Sequence, residues 1–247
     1  MYSYLEFGYL GPLVIYSFLT LEICFCLFKG TVYRSPITYT AFFAALSALI
    51  CAIINAAVRE DIDRIVSTRA AVSVFSIIYT HVAFVPGLIG FYRISKQKGS
   101  RFGTALAIIG CLWAFILIII GIVYNVMIEK NAWFDSVGSY YVIVFGHVAL
   151  AFILAILLAL NHTSLHGKAK ISLVAYTMLF ILFEICYFIE IFAIHTVLAL
   201  FVVSLIFNDL ASAIALILSV SYGHLWITQN TLGDKVEISS EDNDYQH

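Results

Sequence analysis

Seven stretches of this chain, residues 10–28, 37–58, 70–92, 102–124, 138–160, 171–193 and 197–221, are almost wholly apolar. A helix of roughly 20 residues matches the ~30 Å hydrocarbon core of a bilayer. Inside that core every backbone N–H and C=O must be satisfied by the protein itself, which leaves only helices or closed barrels. The runs show no period-2 alternation, so barrel strands are excluded. Connections of 3 to 13 residues force consecutive helices to pack as antiparallel neighbours and leave no room for a soluble domain. The expected fold is therefore all-α, a polytopic seven-transmembrane-helix bundle over residues 1–232. The acidic tail, 233–247, lacks apolar periodicity and is expected to be disordered.

Composition removes most other classes. Of the 247 residues 62% are hydrophobic and 11% charged, whereas soluble domains are about a quarter charged. A net charge of -2 offers no basic surface for nucleic acid. All five cysteines lie inside apolar runs, which argues against a disulfide framework or a zinc site. No Gly-rich phosphate loop or Asp-rich magnesium cluster is present, and neither a metal nor a cofactor is expected. The N-terminus lacks a basic region and a small-residue cleavage site, so the first run is read as a retained helix.

Lys and Arg set the orientation. Nine fall in the first, third and fifth connections and the tail, against four in the second and fourth. The positive-inside rule places the N-terminus outside or in a lumen and the C-terminus in the cytosol. An integral, multi-pass protein of the endoplasmic reticulum or another endomembrane is expected. The sequon Asn161-His162-Thr163 then lies on the cytosolic side and is expected to carry no glycan.

Ionisable groups inside a span cost several kcal/mol and mark functional candidates. Glu22, Glu184, Glu190 and Asp209 qualify, with His81 and His147 as the available counter-groups and no Lys or Arg at comparable depth. Glu184, Asp209, His81 and His147 all fall near the middle of their spans. At 100° per residue Tyr187 lies 60° from Glu184, with Glu190 a further 60° on. In the last span Ser204, Asn208, Ser212 and Ser219 form a polar stripe, with Asp209 close to it. The expected catalytic group is Asp209 as general acid, Glu184 sharing its proton, and Tyr187 and His81 relaying or orienting. Glu190, His147, Asn208, Ser212 and Asn55 are the expected substrate contacts. Pro86 should kink the third span, and Gly87 and Gly90 beside it suit close helix packing.

Three features carry a resemblance: Leu13-Val14-Ile15-Tyr16 running to Phe28-Lys29-Gly30, the exit of the third span from Pro86 to Arg93, and Phe183, Tyr187 and Phe192 followed by an acid in the last span. Together they resemble a fungal family of small seven-span integral membrane proteins of poorly defined activity. The chain departs from it at Glu184, where the family tends to carry a basic residue. Size, span count and buried acids are also similar to the fungal membrane-bound terpene cyclases, without the Trp-Glu pair of one such group; Asn55 is the main polar residue of the second span. That resemblance implies acid-catalysed cyclisation or isomerisation of a lipophilic terpenoid or prenylated substrate, an epoxide among the options, in secondary metabolism. Proton- or cation-coupled transport or sensing, and a non-catalytic scaffold, are the competing functions. The expected partners are a lipophilic small molecule and the bilayer.

Overall fold

The computed structural model describes residues 2–30, 34–58, 62–130, 136–193 and 209–228, and its elements are helices. Side chains at several helix ends fall outside the description. The helices are α1 (Tyr2–Lys29), α2 (Pro36–Val58), α3 (Ile62–Val82), α4 (Val85–Gln97), α5 (Arg101–Lys130), α6 (Ser136–Asn161) and α7 (Gly167–Ala193). A last helix, α8, covers Asp209–Thr228. Among the described residues six helical segments are long and apolar enough to cross a membrane, with α3 and α4 together forming one. Residues 171–193 fold within α7, which is not among those six. Residues 194–208 and the tail from 229 onward lie outside the described residues.

Helices extend beyond the runs that announce them. Residues 62–69 and 125–130, expected in connections, are helical, so the second connection is shorter than its charge suggests. Charged residues continue a helix readily once the chain leaves the hydrocarbon and water can solvate the side chains. The outer surface is apolar: Phe18, Phe28, Phe115, Phe152 and Ile171 are each more than 60% exposed. In water such a surface would aggregate; in lipid it is the solvated face. Because lipid is as apolar as the core, burial supplies little driving force, and close packing with interhelical hydrogen bonds holds the bundle together.

The third span shows how. It is interrupted by a turn at Ala83–Phe84 that keeps helix-like backbone bonds, and Pro86 stands in the first turn of α4. Proline lacks the N–H owed to the carbonyl of Val82 and its ring crowds that carbonyl. The next backbone pair in the ladder, Ala83 C=O and Gly87 N–H, is bridged by a side chain. The Tyr176 hydroxyl donates to Ala83 O at 2.6 Å and accepts from Gly87 N–H at 3.1 Å. A hydroxyl from α7 is thus inserted between two groups that a regular helix would join directly. Glycine at 87 makes this possible, since a Cβ there would stand 2.2 Å from Tyr176 Cε1. At Gly90 a Cβ would stand 2.8 Å from the Trp226 ring, so both glycines serve close packing.

The half-helix α4 runs through the interior, packed against α2, α5, α6 and α7. Near its end Ser95 and Asn161 hydrogen-bond each other, with Asn161 Nδ2 also donating to Leu157 O at 2.8 Å. Asn161 is 1% exposed, and its amide has no space for a glycan. Gln97 donates to Ile227 O at 2.8 Å, so α8 ends on the side of the bundle where α4 ends.

Candidate functional site

Among the described residues Asp209 and Ser212 fall in one polar group and His81, His147 and Glu184 in another, on either side of α3. Tyr79 and His81 are two residues apart, hence about 200° apart around the helix, and each faces a different set of neighbours.

Tyr79 belongs to the first group. Tyr16 of α1 donates to Asp209 Oδ1 at 2.7 Å, and its hydroxyl lies 2.6 Å from that of Tyr79. Tyr79 also hydrogen-bonds Ser212, whose hydroxyl donates back to the carbonyl of Asp209 at 3.1 Å. Tyr16, Tyr79 and Ser212 are buried. These contacts tie α1, α3 and α8 together and link the carboxylate, through the Tyr16 hydroxyl, to those of Tyr79 and Ser212. Cys51 and Asn55 make a separate seam between α2 and α3: Asn55 Nδ2 lies 3.8 Å from Cys51 Sγ, which lies 3.7 Å from Val72 O.

His81 belongs to the second group. Its ring packs on that of His147 with centroids 4.3 Å apart, and His147 Nδ1 lies 3.1 Å from Glu184 Oε1. All three residues are buried: His81 and His147 at 1% exposure, Glu184 at 5%. His81 Nδ1 is 2.6 Å from the carbonyl of Ile77. Phe84, in the turn between α3 and α4, stands against His147 and against Phe180 and Phe183 of α7. The break in the third span therefore places an aromatic wall beside the histidine pair.

Glu184 also borders a cavity of about 390 Å³ between α6 and α7. Its other walls are Val148, Ala151, Phe152, Ala155, Ile181 and Ile185. Phe152 and Ile185 are exposed on the outer surface, so the cavity is a groove open to the side of the bundle. An apolar groove with one polar group on its floor is the usual form of a site for a lipophilic molecule. Glu184 Oε2 is buried without a hydrogen-bond partner, and so, away from the groove lining, is His81 Nε2.

The expected pairing of Glu184 with Asp209 is replaced by these two arrangements: Glu184 pairs with His147, and Asp209 takes Tyr16. Similar positions along two consecutive spans do not by themselves put two side chains on a shared face. Tyr187 and Glu190 fall within α7, but their side chains lie outside the described residues, as does Asn208. Ser219 of the polar stripe is turned inward upon its own helix, donating to Leu216 O at 2.8 Å. Glu22 is exposed on α1. Among the described residues no three His, Cys, Asp or Glu are grouped to hold a metal ion.

Comparison with family models, curated proteins and solved structures found no match. The function must therefore be argued from the site itself.

Residues the sequence did not single out include Tyr16 and Tyr176. Tyr16 occupies the middle of the first run, where a phenol gives no hint of a partner on α8. For Tyr176 a signal did exist: Pro86 leaves backbone groups in need of partners, and a mid-span tyrosine on another helix can supply one.

Proposed function

We propose that the chain crosses the bilayer seven times, with α7 as a span and the C-terminus in the cytosol, as the distribution of Lys and Arg implies. A C-terminal tag should be digested by protease added to sealed microsomes, and a protected tag would reverse the orientation.

Within that bundle we propose an acid-catalysed cyclase or isomerase acting on a lipophilic, terpenoid or prenylated substrate drawn from the bilayer. One observation carries this reading: Glu184 lies on the floor of a groove open to the side, with one oxygen held by His147 and the other unpartnered. A carboxylic acid beside an apolar groove can donate its proton to a substrate where water does not compete. Protonation of the substrate leaves a carboxylate, which His147 Nδ1–H stabilises. Loss of a proton from another carbon of the substrate restores the acid, so the cycle is redox-neutral. Phe152, on the wall of the groove, supplies an aromatic ring near the developing positive charge. Glu184 takes the role of proton donor in place of Asp209, because Glu184 borders the cavity whereas Asp209 is engaged by Tyr16.

The test is Glu184→Gln, which keeps shape and hydrogen bonding while removing the acid. Microsomes fed prenylated alcohols and epoxides should lose turnover by about 10²-fold or more, the usual contribution of general acid catalysis. Full turnover by a normally inserted variant eliminates Glu184 as the donor.

Proton-coupled transport is the second reading, favoured by the discontinuous third span, since transporters place substrates at broken helices. Uptake into liposomes that depends on a pH gradient and is lost in the same variant would favour it.

A further inference from the structure

One acid stands where lipid should be. Glu22 is the thirteenth residue of the 20-residue span Leu10–Lys29, about 10 Å along the axis from the end at Lys29. Its side chain is exposed on the outer surface of α1, among Val14, Phe18, Leu21, Phe25 and Phe28, each more than half exposed. The opposite face of the helix, with Tyr16, Leu19, Thr20 and Ile23, is buried in the bundle. No described residue gives Glu22 a hydrogen bond or an ion pair, and the Lys29 ammonium lies over the Phe25 ring, 5.6 Å from its centroid. Among the described residues no other charged side chain faces outward so far from the end of a candidate span. Ionisable groups within a membrane almost always face protein or water and pair there, so this face of α1 marks a place where a polar partner packs.

The residues of that face narrow the partner. Positions 14, 18, 21, 25 and 28 follow the alternating four- and three-residue spacing of a coiled-coil seam, with Phe18 and Phe25 at a and Val14, Leu21 and Phe28 at d. The outer face of any helix offers some such stripe; α1 differs in what flanks it. Glu22 falls at e and Ser17 at g, about 70° to either side of the midline of the seam. Two copies in one bilayer share one orientation, so their first helices run parallel and a two-fold axis along the membrane normal relates them. In a parallel pair a g residue faces the e residue five positions on in the other helix. Ser17 of each copy then meets Glu22 of the other, hydroxyl donor against carboxyl acceptor. A carboxyl group keeps an accepting oxygen whether or not it is protonated, so the pairing holds in either state. We propose that α1 is the interface of a parallel homodimer, in which Glu22 of each copy accepts a hydrogen bond from Ser17 of the other across a seam of Phe18, Leu21 and Phe25. The second copy supplies both halves of the pair, and the acid is enclosed between two bundles instead of facing lipid. The interface is independent of the role proposed for Glu184.

The experiment uses the full chain in liposomes, with donor-labelled and acceptor-labelled copies mixed at rising protein-to-lipid ratio. Energy transfer should saturate with the stoichiometry of a dimer. Ser17→Ala and Glu22→Ala should each raise the dissociation constant about tenfold, ~1.4 kcal/mol for two symmetry-related bonds. The double variant should lose no more than either single one, and Glu22→Gln, which keeps an accepting oxygen, should retain most of the affinity. In native membranes, on a background of Cys24→Ala and Cys26→Ala, Leu21→Cys should give a disulfide-linked dimer on oxidation. Phe115→Cys, exposed on α5, should not. Energy transfer no greater than random proximity produces overturns the dimer. Equal cross-linking at positions 21 and 115, or a Glu22→Ala variant that associates as tightly as the wild-type chain, overturns the α1 interface. Copies that stay monomeric in liposomes while α1 cross-links to a different protein in native membranes overturn the second copy as the occupant. Because Leu21→Cys leaves Ser17 and Glu22 in place, it decides the interface even if the alanine variants insert poorly.

Discussion

Replacing Tyr176 with phenylalanine should destabilise the bundle by about 2–6 kcal/mol, although only one oxygen is lost. That oxygen serves both Ala83 C=O and Gly87 N–H. Each buried backbone group left unpaired costs roughly 1–3 kcal/mol, and no water is at hand to replace the hydroxyl. The two groups cannot simply join each other, because the Pro86 ring opposes the straightening that a direct bond requires. Unfolding in mixed detergent micelles provides the measurement, with Tyr39→Phe, on the exposed face of α2, as a control expected to change little. A midpoint for Tyr176→Phe equal to that of the control would mean that the break satisfies its own backbone.

Removal of the His147 imidazole should also destabilise the bundle, for a different reason. His147→Leu leaves both oxygens of Glu184 buried without a donor, and a buried polar group stripped of its partner typically costs roughly 1–3 kcal/mol. Replacing both residues with leucine should recover much of that loss, since an apolar pair asks nothing of its surroundings. A full cycle of His147→Leu, Glu184→Leu and the double variant should give a coupling of about 1–3 kcal/mol. Coupling below about 0.5 kcal/mol would show that the two side chains stabilise the bundle independently.

The helices were legible in the sequence, and so was the burial of Glu184; azimuth was not. Length, hydropathy and loop size are one-dimensional properties, and they located the apolar runs to within a few residues at most ends. Pro86 announced the interruption of the third span because its chemistry is local. The partner of Glu184 depends on the direction in which each helix turns its side chains. A helix in lipid is apolar on every face, so the stripe that reveals the inner face of a soluble helix is missing. Depth read from span position matched Glu184 with His147 as well as with Asp209, and so could not choose between them. The two-residue offset between Tyr79 and His81 was readable in retrospect: it aims them to opposite sides of α3, and each acid lies with one of them. The cavity between α6 and α7 had no sequence signal, since its walls are the same Val, Ala, Ile and Phe that fill every span.

The hydroxyl bridge from α7 also bears on the order of assembly. The third span enters the membrane as the chain emerges, long before residue 176 has been made. Until then Ala83 C=O and Gly87 N–H have no partner from elsewhere in the bundle, and the segment must either remain close to straight against its proline or hold an open turn in hydrocarbon. Arrival of the sixth run completes the backbone of the third, so the conformation of the earlier segment is set by the later one. A nascent chain halted before Tyr176 would hold its helices in the bilayer with the central one still unfinished.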